Sequence, residues 1–298
     1  MKTLKSEFLS VSKPLLRKVI ELLSADYEYV SILGTDTKVK NFVVSSKGTE
    51  INDSMFAERG FVLRIHNGVN YLKNMITICR EKAIAQPTPT LKTFPVIFTR
   101  NAVKELFSYY TFMSKANSVY NQYSTWKIGD QLQGENVKGD LVTITLDPLI
   151  NNSTSSASFD EDGFSLAPVR IIDKGALKQY LADARYGYYL NVETTGSIGN
   201  MVVEGGSRTA KELQAEPHLM AAAFSDFSMD EVTGDFGGEI RLAWYFDGER
   251  TIPVTGGSIT GNIYELQQEF YLSKELQKDN DFEGPLMVKI MNCTVAGV

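Results

Sequence analysis

Apolar residues recur at helical spacing in a few stretches of the chain and alternate or run together in most of the others. That mixture predicts helices set among many short strands. From Ser12 to Ser24 a stripe of Leu15, Leu16, Val19, Ile20, Leu22 and Leu23 predicts a helix, with Pro14 near its start, where a missing N–H does no harm. Tyr27–Leu33, Lys38–Ser45 and Gly60–Ile65 then read as strands, rich in Val, Ile, Tyr and Phe and broken by Gly-Thr-Asp and Lys-Gly-Thr turns. Asn67-Gly68 predicts a hairpin turn that returns the chain through Val69 to Leu72 as a further strand.

Ala85 to Thr93 contains Pro87 and Pro89, which disfavour helix on both sides and mark a boundary. Beyond it Phe94–Phe98 reads as a strand, and Asn101 as the N-cap of a helix running to about Met113. Leu141–Leu146, Val169–Ile172, Leu177–Leu181, Gly238–Phe246 and Met287–Met291 have strand character. Asp173-Lys174-Gly175 and Asp247-Gly248-Glu249 look like hairpin connections. A last helix is expected from Asn262 to about Gln277, with Ile263, Leu266, Phe270 and Leu276 on one face. The polar run Asn151–Ser158 reads as a mobile loop. The expected fold class is α+β. An N-terminal α/β region over residues 1–86 places a helix on a small sheet, and a β-rich region over 87–298 holds a strongly curved antiparallel sheet.

Composition narrows the function. The 298 residues are 43% hydrophobic and 22% charged, ordinary for a soluble globular protein. Acidic residues outnumber basic ones by 36 to 30, and no Lys/Arg cluster offers an electrostatic footprint for nucleic acid. The opening MKTLKSEFLS lacks the apolar run of a secretory signal, and the longest apolar stretches, such as Leu219–Phe224, are too short to span a bilayer. Two distant cysteines, Cys79 and Cys293, point to a reducing cytoplasm rather than a disulfide framework. No nucleic-acid or membrane partner is expected.

Five separated segments carry a resemblance. They are Pro95–Phe107; Leu146-Asp147-Pro148 with Phe159–Gly163; the hairpin Ile172–Asp183; Thr233–Phe236 leading to Ile252-Pro253-Val254 and Gly257–Asn262; and the terminal Val295-Ala296-Gly297. Each is ordinary turn or strand chemistry alone. In this order and spacing they resemble the TldD/PmbA family, bacterial peptide-processing proteins also known as modulators of DNA gyrase. The resemblance implies a role in proteolysis and peptide maturation, an N-terminal region shortened near Leu72–Pro87, and a dimeric assembly.

In the metal-dependent branch of that family the helix after the Pro-Val-Ile strand carries His-Glu-x-x-x-His. Histidine gives zinc a neutral nitrogen, and the glutamate can act as base on metal-bound water. Here the segment reads Lys104-Glu105-x-x-x-Tyr109. A protonated lysine has no lone pair for a metal, and tyrosine is an uncommon ligand. The remaining His66 and His218 lack ligand spacing, and Cys293 would be a lone ligand, so no metal or other cofactor is expected. Glu105 is a weak catalytic candidate, since a base without metal or nucleophile has nothing to activate. Asp160-Glu161-Asp162-Gly163 reads as a turn. Ser153–Ser158 lacks a nucleophile elbow, and Gly205-Gly206 lacks the Walker pattern. Tyr109, Tyr110, Phe112, Tyr120, Tyr123 and Trp126 supply either core and interface or the wall of a peptide cleft. In the second case Tyr109, Tyr110 and Tyr123 are the candidate substrate contacts, and the resemblance implies a peptide held as an added strand.

The expected function is therefore a catalytically silent TldE/PmbA-like subunit that binds unfolded peptide, with a TldD-like metal-bearing subunit or a second copy of itself as partner. A self-associating scaffold without a protease role, and an atypical active metallopeptidase of the same family, are the alternatives.

Overall fold

A computed structural model describes residues 14, 16–22, 29–45, 48–66, 68–151 and 153–298. The chain divides into two compact units, Met1–Arg80 and Glu81–Val298. Helices and strands mix throughout, and the fold is α+β as the pattern predicts. Among the described residues no helix is long and apolar enough to cross a membrane.

The smaller unit contains helix α1 (residues 16–22) and two long strands, β1 (Tyr29–Ser45) and β2 (Gly48–His66), before helix α2 (Gly68–Ile84) begins. The strands form one antiparallel hairpin from Tyr29↔His66 to Ser45↔Gly48, with a bulge between Lys40 and Phe42. The Gly-Thr-Asp segment expected to turn lies within the ladder instead, Gly34 opposite Phe61 and Asp36 opposite Arg59. Cross-strand pairing overrides weak turn propensity here. The expected return strand Val69–Leu72 is the first turn of α2. Val69, Leu72, Ile76 and Cys79 recur at helical spacing, a longer signal than the Asn-Gly dipeptide. The ends of the predicted first helix and Tyr27 lie outside the described residues.

The larger unit opens with β3 (Gln86–Pro87), β4 (Lys92–Thr99), α3 (Asn101–Met113) and α4 (Ala116–Tyr120). It continues through β5 (Ile144–Leu146), β6 (Val169–Asp173), β7 (Ala176–Leu177), α5 (Ala184–Leu190), β8 (Met201–Val203) and α6 (Ala210–Leu213). Then come β9 (His218–Met229), β10 (Asp235–Phe246), β11 (Thr251–Thr255), β12 (Ser258–Asn262) and α7 (Ile263–Leu266). Strands β13 (Phe270–Leu272), β14 (Leu276–Asp279), β15 (Phe282–Pro285) and β16 (Met287–Ala296) complete it.

One sheet closes on itself: β12 pairs with β16, β16 with β4, β4 with β9, β9 with β10, and β10 again with β12. The curvature expected from sequence is thus carried to a ring, and one of its pairs, β4 with β9, is parallel. Closure removes free edges. Along β10, β12 and then β11 occupy the same side, joined at Gly256-Gly257, both with positive φ. A Cβ on Gly257 would lie 2.1 Å from the Ala296 carbonyl oxygen, so only glycine lets β12 reach β16 there. Val96, Phe98, Leu219, Ala221, Phe236, Ile240, Val288 and Ile290 alternate along their strands into one core, where Phe98 meets Phe236 edge to face at 5.6 Å.

The second sheet runs β14-β15-β8-β5-β6-β7. Lys174 and Gly175, with φ of 48° and 77°, turn the β6–β7 hairpin as expected. Strand β5 is shorter than expected because Val142 donates to the Gln133 side chain at 2.8 Å rather than to a ladder. Likewise Leu181 leaves the hairpin and pairs with the start of α4, its carbonyl accepting from the Ala116 N–H at 2.9 Å. The described residues 153–158 of the polar run are pinned, not free: Asn200 binds Ser153 at 2.6 Å and Ser156 at 3.2 Å.

Helix α3 packs against β4 and β9 of the ring and against β15 of the second sheet. Its cap is Arg100, with φ 58°, and Asn101, expected as the cap, is the first helical residue. The long helix predicted for Asn262–Gln277 is also corrected. Asn262 does cap α7 by accepting from the Glu265 N–H, but after one turn of 3-10 helix Phe270–Leu272 pairs with Ile290, Lys289 and Val288 of β16. The vacant side of β16 captures an aromatic, β-favouring triplet that the periodicity also fitted to a helix.

A buried polar chain fixes α3 to the loop before β5. Tyr110 Oη donates to Gln267 Oε1 at 2.9 Å, and Gln267 Nε2 donates to the Leu132 carbonyl at 2.8 Å. Gln133 Nε2 in turn donates to the Gln267 carbonyl at 3.0 Å. Tyr110→Phe keeps the ring and strands Gln267 Oε1 without its donor. Loss of about 1–3 kcal/mol of stability is expected, read as a lower urea midpoint with an unchanged m-value.

Candidate functional site

Helix α3 advances about 100° per residue, so residues four apart share a face. Ala102, Val103, Leu106, Phe107, Tyr109, Tyr110 and Met113 are buried, and the opposite side carries Lys104, Ser108, Thr111 and Phe112 towards a cavity of about 140 Å3. Lys115 just past the helix, Leu146, Ile198, Gly199, Met201, Glu231 and Asp281 complete its lining. Lys115, Ile198 and Gly199 also line an adjoining cavity of about 320 Å3 with Asp183, Tyr186 and Ser197. Asp183 and Ser197 then lead into a third hollow beside Phe159 and Asp160. The three adjoin through these shared residues as a groove beside α3.

One wall is polar helix and the other is the segment Ile198–Gly199 that leads into β8. The Met201 N–H, where β8 begins, donates to the Asp281 carbonyl at 2.8 Å. Before it, the N–H and carbonyl of Gly199 make no hydrogen bond to any described residue. Between these walls Lys104 Nζ meets Asp281 Oδ1 at 2.7 Å, both side chains partly exposed. Such a pair adds little to stability. Here it fills the space over the first turn of α3 with a cation.

The sequence-predicted residues do not converge. Tyr109 is five positions beyond Lys104, about 140° around the helix, and is 2% exposed. Its ring lies edge-on to Tyr110 and Trp126, and burial, with Tyr264 adding to it, pushes its phenol up to about 12. Tyr110 is sealed in the core, its hydroxyl committed to Gln267. Of the three tyrosines proposed to contact substrate, Tyr123 is the one at the surface, 55% exposed. Glu105 is half-buried on α3 outside the cavity lining, its carboxylate accepting from Asn101 Nδ2 at 3.4 Å. Asp160 serves its turn and the groove wall, accepting from the N–H groups of Asp162, Phe164 and Ser197. Asp281, Glu231 and Lys115 lie outside every motif, and no local signal in the sequence marks them.

Nor do the residues fit a zinc site. Lys104 offers an ammonium already paired with Asp281, and Tyr109 a buried, protonated phenol. Cys293 lies in β16 with its thiol fully buried and its pKa raised by burial. Among the described residues no three His, Cys, Asp or Glu side chains group to hold a metal. His66 stands opposite Tyr29 in the smaller unit's hairpin.

A helix carrying a polar face over a groove, held between a closed ring and a second sheet, is the architecture of a family. Residues 91–297 match the PmbA/TldA metallopeptidase C-terminal domain family, and the chain belongs to it. An uncharacterized protein of Methanocaldococcus jannaschii is 24% identical over 209 residues, 65% of this chain and 49% of its own. Metalloprotease PmbA of Escherichia coli O157:H7 is 26% identical over 197 residues, 63% of this chain and 43% of its own. The chain thus spans less than half the length of these relatives. TldE of Thermococcus kodakarensis shares the fold with a TM-score of 0.65 at 18% identity, over 90% of this chain and 63% of that one. A protein from Thermotoga maritima, described as a proposed modulator of a DNA gyrase, gives 0.65 at 17% identity over 99% and 77%.

His218 is 4% exposed on β9, its Nδ1–H donating to the Glu216 carbonyl at 2.8 Å. Burial, reinforced by the Lys289 charge, holds its pKa below the ordinary 6.5. The folded chain therefore binds fewer protons here than the unfolded one. The stabilisation is complete above pH 6.5 and is lost as pH falls through the lowered folded value. His218→Gln is expected to flatten the decline of stability between neutral and mildly acid pH, measured by urea unfolding across that range.

Proposed function

We propose that this chain is a catalytically silent, TldE/PmbA-like subunit of a peptide-processing complex and that it holds unfolded peptide in the groove beside α3. The open backbone of Gly199 carries the reading. An extended peptide can pair with the N–H and carbonyl of this residue, bonding through main-chain groups that make little demand on its sequence. From Lys104 to Met113 the helix rises about 14 Å, the span of about four extended residues. Ser108 and Thr111, whose hydroxyls donate to the Glu105 carbonyl and to Met201 Sδ, offer oxygen acceptors along that length, and Tyr123 offers an exposed ring 6.4 Å from that of Phe112.

Silence follows from the donor set. Where metal-bearing relatives place histidine, an ammonium bound to Asp281 repels a dication. Cleavage would then come from a metal-bearing TldD-like partner in the cytoplasm, with this chain completing the chamber.

A fluorescently labelled unstructured peptide should bind the purified chain and remain uncut, with or without chelator. Gly199→Pro, which deletes one main-chain donor, should weaken binding about tenfold, whereas Gly199→Ala, which keeps the donor, should bind nearly as the parent does. Cleavage by the chain alone, or equal binding by both variants, would refute the proposal.

A further inference from the structure

Away from the groove, on the other side of Trp126, lies a cavity of about 440 Å3 between the loop 125–134 and α7. That size suits a small molecule. Trp126 is 9% exposed and fixed on every side. Its N–H donates to Ser124 Oγ, its carbonyl accepts from Tyr180 Oη at 2.7 Å, and Tyr109 and Tyr110 pack on its ring. One polar atom is left over: the indole N–H makes no hydrogen bond to any described residue. The side-chain atoms that are both unpaired and sealed, among the described residues, are Thr88 Oγ1 and Ser114 Oγ. The indole N–H is therefore unpaired but open, and the cavity is what Trp126 lines.

We infer that this cavity is a binding site for a neutral saccharide of one or two rings. A rigidly held donor that is open to the cavity can meet an acceptor there at little ordering cost. Around it stand Thr125, Gln131, Tyr264 and Gln268, whose side chains likewise make no hydrogen bond to a described residue. Hydroxyls and amides each give and accept, which matches a ligand whose own hydroxyls do both. No lysine or arginine lines the space, and the Asp130 carboxylate does, so an anion is disfavoured. Tyr264, 66% exposed, offers a ring for the apolar face of a sugar. The site shares no lining residue with the peptide groove and does not rest on the peptide reading.

The chain has two tryptophans, so its spectrum should show two indole N–H signals, and Trp244→Phe assigns that of Trp126. Maltose, cellobiose and diacetylchitobiose are titrated against the 15N-labelled protein, with acetate and a blocked dipeptide amide as contrasting ligands. At least one disaccharide is expected to shift the Trp126 signal to saturation. Gln131→Ala combined with Gln268→Ala, on the surface of an unchanged fold by thermal melting, should weaken that binding about tenfold or more. Three results overturn the inference. They are a Trp126 signal unmoved by every disaccharide, a larger response to acetate or the dipeptide amide, and undiminished binding by the double variant.

Discussion

The phase of helix α3 is the constraint on which the larger unit depends. Thirteen residues present one apolar face to two sheets at once, and the angular step of the α-helix leaves no choice about what the other face carries. Burying Leu106, Tyr110 and Met113 places Lys104 and Ser108 over the groove and turns Tyr109 inward. Rotating the helix by one residue would drive Tyr110 out of its bond to Gln267 and bring a lysine into the core. The first costs a buried hydrogen bond and the second an unpaired charge.

The elements around the helix are held by pieces that tolerate little substitution. The ring closes because Gly257 lets β12 pass against Ala296, and the loop before β5 is located by two buried glutamine side chains rather than by strand pairing. These amides satisfy backbone groups that no ladder reaches. Buried polar groups of this kind specify one arrangement more strongly than apolar packing does, because each alternative strands a donor or acceptor.

The chain keeps the fold of its family while the first turn of α3 carries an ion pair across the groove. Lys104 with Asp281 occupies volume and orients two charges, and the main-chain groups of Gly199 are left without a partner among the described residues. The peptide and saccharide sites proposed above rest on the same principle: a fixed hydrogen-bonding group left open where solvent or ligand can reach it.

Local residue patterns determined much by themselves. The Pro-Val-Ile strand and the helix after it, the Asp173–Gly175 turn, the α+β class and the absence of a histidine pair on α3 could all be read along the chain. They depend on periodicity, turn chemistry and residue type within a few positions. Tertiary structure decided the rest. Phe270–Leu272 fits a helix as well as a strand until β16 offers it a free edge. Gly34–Asp36 reads as a turn until Gly60 and its neighbours pair with it. Asp281 lies 177 residues from Lys104, and their 2.7 Å contact leaves no trace in either local sequence. Which tyrosines are sealed and which exposed was settled by the packing of two sheets on one helix. Burial depends on every neighbour in space, and a one-dimensional pattern records only those close in sequence.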